Sequence, residues 1–180
     1  MSETPHLPIA AIGFNETQWV DPVLEAVAIH VQAMGGRVVG VLQSEVETEG
    51  CCGDMYLRSL SSKYTSMISQ SLGSGSRGCR LDPHALAEVN MELMRELAKG
   101  ADLVIVNRFG KGESEGRGLR NVIEAALEAE IPVLCGLKDT YKEDFKDYVG
   151  DMATILDMNN DGACAWAEGV IPARRLLQAM

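Results

Sequence analysis

Short apolar runs alternate with stretches of helical periodicity along most of this chain, and this alternation restricts the possible folds more than any other feature. Residues 103–106 (Leu-Val-Ile-Val) are apolar at every position, which is typical of a parallel strand buried on both faces. An amphipathic helix is predicted on either side of this run, because apolar residues recur there at intervals of three and four. Consecutive parallel strands are usually joined by such helices. The alternation therefore predicts a three-layer α/β fold with a mainly parallel sheet.

The same pattern extends from residue 7 to residue 156. Asp21 and Pro22 are predicted to open the first helix as its N-cap and first helical residue, and Asp82 and Pro83 to open a later one. The predicted strands are residues 7–14, 37–42, 103–106, 132–135 and 153–156. The predicted helices are residues 21–34, 82–99, 119–127 and 139–148.

Residues 43–72 interrupt the alternation. This stretch has two strand-like runs, residues 55–60 and 64–69, joined by Ser61, Ser62 and Lys63, and it contains no helical pattern. It predicts a β hairpin or meander inserted beside the main sheet. At 180 residues the chain has the length of one domain, so residues 1–180 are predicted to form a single α/β domain.

The charge is unevenly distributed. Sixteen basic and twenty-six acidic residues give a net charge of −10, which argues against a nucleic acid or an anionic membrane as partner. Residues 71–120, however, hold eight of the basic and seven of the acidic residues, so this segment is +1 while the rest is −11. Two interpretations stay open: a pocket for a small anion, or solvated loop charges.

No apolar run reaches the ~20 residues of a membrane-spanning helix, and the N-terminus lacks the pattern of a secretory signal. Five cysteines without a Cys-x-x-Cys pair favour a reducing compartment. A cytoplasmic location is therefore expected.

Ligands of open α/β sheets bind beyond the carboxyl ends of the parallel strands. Three predicted loops leave those ends, residues 15–20, 107–118 and 136–139, and the Gly-rich residues 73–78 could join them. The first loop lacks the Gly-Lys-Ser/Thr of a phosphate-binding P-loop, and Asn107 stands where a magnesium-binding Asp is expected. Residues 73–78 match G-x-G-x-x-G in letters only, because four residues separate Gly78 from the helix start at Pro83.

These loops contain the hydrogen-bond donors that a small oxyanion needs. Arginine forks, a lysine, hydroxyl groups and neutral amides can surround a tetrahedral anion without repelling it. For Cys79, which lies between two arginines, a reactive thiol and a small buried side chain both stay open. No catalytic residue, metal ligand or cofactor is assigned. The predicted ligand-binding residues are Asn15, Ser74, Ser76, Arg77, Cys79, Arg80, Asn107, Lys111 and Arg117.

Two strings of the sequence resemble one bacterial family. Residues 69–83 (Ser-Gln-Ser-Leu-Gly, then Gly-Cys-Arg-Leu-Asp-Pro) and residues 103–118 (Leu-Val-Ile-Val-Asn-Arg-Phe-Gly-Lys-Gly-Glu-Ser-Glu-Gly-Arg-Gly) are similar to the family catalogued as domain of unknown function 2478. That family usually has lysine where this chain has Arg108. The resemblance covers residues 9–148 and implies an association with molybdate-uptake and nitrogenase-related genes.

A more distant similarity is to the thermophile nucleoside-triphosphatase family. It rests on residues 41–46, Gly50 and residues 55–60, which resemble the β segment after the first βαβ unit of that family. Where that family has Asp-Glu-Ile-Gly, this chain has Asn107, Arg108, Phe109 and Gly110. The resemblance implies a P-loop-NTPase-like fold with degenerate nucleotide motifs.

These observations lead to one functional hypothesis and two alternatives. The chain is predicted to be a non-catalytic binder of a small oxyanion or phosphate-bearing ligand, which includes molybdate, tungstate, phosphate and a nucleotide. Molybdate or tungstate is the first choice, because of the association that the family resemblance implies. The alternatives are a homodimeric adaptor anchored by Trp19, Phe109 and Trp166, and a nucleoside triphosphatase with an atypical site.

Overall fold

The computed structural model describes residues 8–48, 51–70 and 81–171, which contain one seven-stranded sheet. Single 3₁₀ turns lie at Asp139–Tyr141 and Gly150–Met152. The strands are β1 (Ile9–Phe14), β2 (Val38–Thr48), β3 (Cys51–Ser59), β4 (Thr65–Met67), β5 (Leu103–Phe109), β6 (Val133–Lys138) and β7 (Thr154–Leu156). The helices are α1 (Asp21–Ala33), α2 (Pro83–Leu97), α3 (Lys111–Ser114), α4 (Arg120–Glu128), α5 (Lys142–Val149) and α6 (Asn160–Val170).

The strand order is β4-β3-β2-β5-β6-β1-β7. Strands β2, β5, β6, β1 and β7 are parallel to one another, whereas β3 pairs antiparallel with β2, and β4 pairs antiparallel with β3 at one edge of the sheet. The predicted β insertion is confirmed, but it belongs to the main sheet because β2 itself continues to Thr48. The strands β1 and β2, which α1 connects, are not neighbours in the sheet, because β5 and β6 lie between them.

Helices cover both faces of the sheet. Alternate residues of β5 point to opposite faces, so Val104 and Val106 join one core cluster, whereas Leu103 and Ile105 join the other. The first cluster packs under α2, α4 and α5, and the second under α1 and α6. The predicted three-layer α/β architecture is confirmed. Among the described residues, no helix is long and apolar enough to cross a membrane.

Of the two predicted N-cap residues, Asp82 and Asp21, the structure confirms only the first. Asp82 caps α2, because its side chain accepts hydrogen bonds from the backbone N–H groups of His84 (2.9 Å) and Ala85 (3.3 Å). The predicted N-cap role of Asp21 is wrong, since Val20 occupies that position. Asp21 instead turns inward, where its Oδ1 accepts a hydrogen bond of 2.6 Å from the backbone N–H of Gln43.

Candidate functional site

The carboxyl ends of β1, β2, β5 and β6 surround a cavity of about 360 Å³, the central cavity. The β3–β4 hairpin and the first turns of α2 contribute apolar side chains to its wall, including Met55, Leu57, Ile68 and Leu86. The polar groups of its lining are Gln43 in the middle of β2, Asn107 and Arg108 near the end of β5, and Lys138 at the end of β6. The site therefore lies at the edge of the sheet where the sequence predicted it.

A second cavity of about 520 Å³, the outer cavity, adjoins the first between α2 and the α3–α4 loop. Lys111, Gly112, Leu81 and Leu86 line both cavities. Lys111 is exposed and forms no ion pair with any described residue. Arg117 lines the outer cavity only, with a side chain 70 % exposed and paired with Glu115. Two predicted cationic ligands, Lys111 and Arg117, are thus brought to one cavity.

The predicted glycine-rich loop 107–118 is shorter than the sequence indicated. Residues 107–109 belong to β5, and residues 111–114 form the single turn α3. The polar residues Asn107 and Arg108 hid the end of the strand from sequence analysis, because their partners Gln43 and Asp21 lie far away in the chain. The loop that carries Lys111 and Arg117 is therefore held at both ends by regular structure.

Glu113 organises this loop from inside. Its residue is 8 % exposed, and its carboxylate accepts hydrogen bonds from the backbone N–H groups of Gly110 (3.0 Å) and Leu119 (2.9 Å). Two features require glycine at position 118. Its φ is +64°, and a Cβ there would lie 2.8 Å from Glu113 Cδ. Glu113 thereby positions Lys111 and Arg117 on the same wall of the outer cavity. The sequence did not indicate this role for Glu113.

Asn107 is 6 % exposed and lies at the floor of the central cavity. Its Nδ2 donates a hydrogen bond of 3.2 Å to Oε1 of Gln43, which lies on the neighbouring strand β2. The two amides form a neutral pair at the point where a magnesium-binding carboxylate was expected. Among the described residues, no group of three or more His, Cys, Asp or Glu side chains could hold a metal ion.

Asn15 lies in the loop after β1 and lines neither cavity. Its Oδ1 accepts hydrogen bonds from the backbone N–H (3.0 Å) and the hydroxyl (2.8 Å) of Thr17. This side chain therefore shapes its own loop, and its predicted contact with a ligand stays a prediction.

Asp21 and Arg108 form an ion pair that sequence reasoning missed. Arg108 Nη2 lies 3.6 Å from Asp21 Oδ2, and the guanidinium carbon lies over the rings of Phe14 (5.4 Å) and Trp19 (5.3 Å). The Asp21 side chain is 5 % exposed, and burial raises the pKa of its carboxyl although Arg108 and the Gln43 N–H oppose this shift. The pair places a buried carboxylate at the N-terminus of α1.

Residues 9–166 match the sequence model of the family described as protein of unknown function (DUF2478). This chain belongs to the DUF2478 family. The resemblance drawn from residues 69–83 and 103–118 is thereby confirmed.

One relative of this DUF2478 chain is molybdenum import ATP-binding protein ModC 2 of Bradyrhizobium diazoefficiens, which is 31 % identical over 159 residues. The match covers 88 % of this chain and 18 % of the relative, so the chain spans about a fifth of that protein.

Two solved structures resemble the DUF2478 chain over most of their length. THEP1 from Aquifex aeolicus aligns with a TM-score of 0.60 and 13 % identity, covering 90 % of this chain and 96 % of THEP1. A human cancer-related nucleoside triphosphatase aligns with a TM-score of 0.60 and 12 % identity, covering 90 % and 95 %. These likenesses confirm the P-loop-NTPase-like fold.

The DUF2478 chain differs from a P-loop enzyme at the helix that follows β1. A P-loop holds phosphate at this helix N-terminus with backbone N–H groups and a lysine. Here Asp21 puts a carboxylate there, and its charge partner Arg108 comes from the end of β5. The positive end of the helix dipole is therefore matched by a group of the chain itself.

Five predicted ligand residues, Ser74, Ser76, Arg77, Cys79 and Arg80, fall within residues 71–80 and lie outside the described residues. The described neighbours of that segment are close together, since Gln70 Nε2 donates a hydrogen bond of 3.1 Å to the carbonyl of Leu81. Leu81, the described residue that follows the segment, lines both cavities.

The anchors predicted for an adaptor surface are not all available. Phe109 is fully buried, where it packs edge-on against Phe145 at 5.2 Å and stacks on Tyr148 at 5.6 Å. Its predicted role as an interface anchor is wrong, because Phe109 is the last residue of β5 and its side chain belongs to the first core cluster. Trp19 remains partly exposed beside Arg108, and Trp166 packs against the second core cluster.

Proposed function

We propose that this chain is a non-catalytic binding protein for a small oxyanion or phosphate-bearing ligand, built on a P-loop-NTPase-like domain. The observation that carries the proposal is the position of Lys111 between two cavities, with no ion pair among the described residues and with Arg117 on the same wall of the outer cavity. A cation that pairs with no acidic group in the described part of the chain, at the edge of a cavity, favours an anion.

The remaining predicted residues complete the proposed site. Asn107 contributes a neutral amide at the floor of the central cavity. Ser74, Ser76, Arg77, Cys79 and Arg80 belong to a segment whose described ends lie at the cavity edge, and Asn15 is proposed at the loop after β1. The single sheet that joins the described residues supports one domain, and we propose a cytoplasmic location for it.

The cavities and the relatives favour two kinds of anion. Volumes of about 360 and 520 Å³ and the apolar walls suit an organic ligand that carries a phosphate group. The 31 % identity to a segment of a molybdenum import protein favours molybdate or tungstate as the second candidate. A thermal-shift panel of molybdate, tungstate, phosphate, sulfate and nucleotides separates these, because a ligand at 100 times its Kd stabilises the native state by about 2.7 kcal/mol.

Nucleoside triphosphates are expected to remain unhydrolysed. The loop after β1 has no lysine to neutralise the phosphates, Asp21 would repel them, and the neutral Asn107–Gln43 pair binds magnesium weakly. Phosphate release from ATP and GTP with magnesium should therefore equal that of a mock purification. Turnover well above that control, proportional to the protein concentration, would contradict the non-catalytic proposal.

Removing the cavity cations is expected to weaken anion binding. Lys111→Ala and Arg117→Ala should each raise the Kd of the best anion of the panel by about three- to tenfold, since each removes one charge-assisted hydrogen bond near solvent. Lys146→Ala is the matched control, because Lys146 is exposed on α5 and lines neither cavity. Isothermal titration at low and moderate salt measures the change.

Equal affinity in all three variants would show that the anion binds elsewhere. The same samples test the adaptor alternative by light scattering, since Arg117→Ala should leave the assembly state of a small-ligand binder unchanged.

A further inference from the structure

The Asn107–Gln43 amide pair leaves two hydrogen-bonding groups unused. Each amide has one carbonyl oxygen and one NH₂ group, and a single N–H···O bond between them uses one of each. Asn107 Oδ1 and Gln43 Nε2 remain, one an acceptor and the other a donor. The same holds if both amides are turned over, so the pair always presents one acceptor beside one donor.

Asn107 and Gln43 both line the central cavity, and neither remaining atom has a hydrogen-bond partner among the described residues. Neither atom is sealed in the protein interior without a partner, in contrast to Asp21 Oδ2 and Arg108 Nε. Asn107 is only 6 % exposed. The pair therefore offers one acceptor and one donor to a ligand in the central cavity.

The surroundings of this pair suit a flat ring. Met55, Ile68 and Leu86 form apolar walls contributed by the β3–β4 hairpin and α2. Apolar walls around a few convergent polar groups are the usual design of sites for heterocycles. The neutral amides carry no charge to attract an anion, whereas Lys111 at the edge of the cavity does, so the phosphate of such a ligand is expected at Lys111.

We propose that the central cavity binds the base of a nucleoside monophosphate, with the ring edge hydrogen-bonded to Asn107 and Gln43 and the phosphate at Lys111. This inference rests on the proposed anion-binding function and adds the chemical class of its ligand. Each common base has an edge with adjacent donor and acceptor, such as the exocyclic amine and a ring nitrogen of adenine. That edge is complementary to the two free amide groups.

The test compares nucleoside monophosphates with anions that carry no base. Isothermal titration of AMP, GMP, CMP and UMP is compared with ribose 5-phosphate, inorganic phosphate and molybdate. At least one nucleotide should bind tenfold or more tightly than ribose 5-phosphate, because one good bidentate pair contributes that much discrimination. Gln43→Met should reduce this ratio to within threefold of one while leaving the affinity for ribose 5-phosphate unchanged, and Asn107→Leu should reduce the ratio in the same way.

Two controls make the outcomes distinct. If Asn107→Leu fails to fold, the less buried Gln43→Met carries the test alone, and Lys111→Ala should weaken nucleotide and ribose 5-phosphate equally. Binding of ribose 5-phosphate, phosphate or molybdate as tightly as any nucleotide would overturn this inference and leave the proposed function intact. A base preference that survives both amide variants would also overturn it, and the absence of binding by every probe would overturn both.

Discussion

Gly40→Ala is expected to lower the free energy of unfolding by more than about 4 kcal/mol or to prevent folding altogether. Gly40 lies in β2 opposite Ile105 of the central strand β5, with a φ of +153°. A methyl group there would overlap the carbonyl oxygen of Ile105 and lie 2.8 Å from its carbonyl carbon and its nitrogen. The obstacle is backbone in the middle of the sheet, so no side-chain rotation can relieve the overlap.

The matched control is Gly13→Ala in β1. Of the described residues, a Cβ at Gly13 would meet only the Lys142 side chain, at 3.8 Å from its Cε, which is an ordinary contact. This variant should change stability by about 1 kcal/mol or less, because it adds a methyl group without overlap. Urea unfolding followed by circular dichroism compares the two variants. Similar midpoints for both would show that β2 and β5 do not approach each other as closely as described.

The regular part of the fold could be predicted because its periodicity is local. Alternation of apolar runs and amphipathic stretches indicated the parallel sheet, and Asp82 with Pro83 indicated the start of α2. Helix α6 was missed because its buried positions are the small residues Ala163 and Ala167, which give no strong apolar stripe. A helix that packs through alanines is defined by its partner α1 rather than by its own sequence.

The position of the central cavity was predictable, whereas ligand binding by its cations stays a prediction. Parallel topology alone put Asn107 and Lys111 at the same edge of the sheet, and the local excess of positive charge indicated an anion. The contacts that shape the site join residues far apart in the chain, such as Asn107 with Gln43 and Arg108 with Asp21. No pattern in a single sequence specifies such pairs, because each residue taken alone has several equally plausible roles.

Arg108→Met is expected to destabilise the native state in a manner that depends on pH. Methionine keeps an unbranched apolar side chain at this position but removes the guanidinium that lies over Phe14 and Trp19 and beside the buried Asp21 carboxylate. Breaking a buried pair in this way costs about 3–5 kcal/mol. Because the Arg108 side chain is 33 % exposed and solvent screens part of the interaction, about 2–3 kcal/mol is expected at pH 8.

The pH dependence follows from the raised pKa of Asp21. Burial lifts this pKa above its ordinary value of 3.8, so the folded chain binds a proton more readily than the unfolded chain. The resulting contribution to stability is fully present below pH 3.8 and is lost as the pH rises through the folded pKa. Arg108→Met removes an opposing cation and raises that pKa further, so the cost of the substitution should be smaller at pH 4.5 than at pH 8.

Asp21→Asn separates the charge from the packing. Asparagine can still accept the hydrogen bond from the Gln43 N–H, whereas it carries no charge for Arg108 to balance. In the Asp21→Asn background, Arg108→Met should cost about 1 kcal/mol or less, and equally so at pH 4.5 and pH 8. Urea unfolding of the four chains at both pH values measures the coupling.

A cost of Arg108→Met that is independent of pH in the presence of Asp21 would contradict an ionised carboxylate at the N-terminus of α1. In that case repulsion of phosphate by Asp21 would no longer support the expectation that triphosphates remain unhydrolysed, and that expectation would rest on the missing lysine and the neutral Asn107–Gln43 pair.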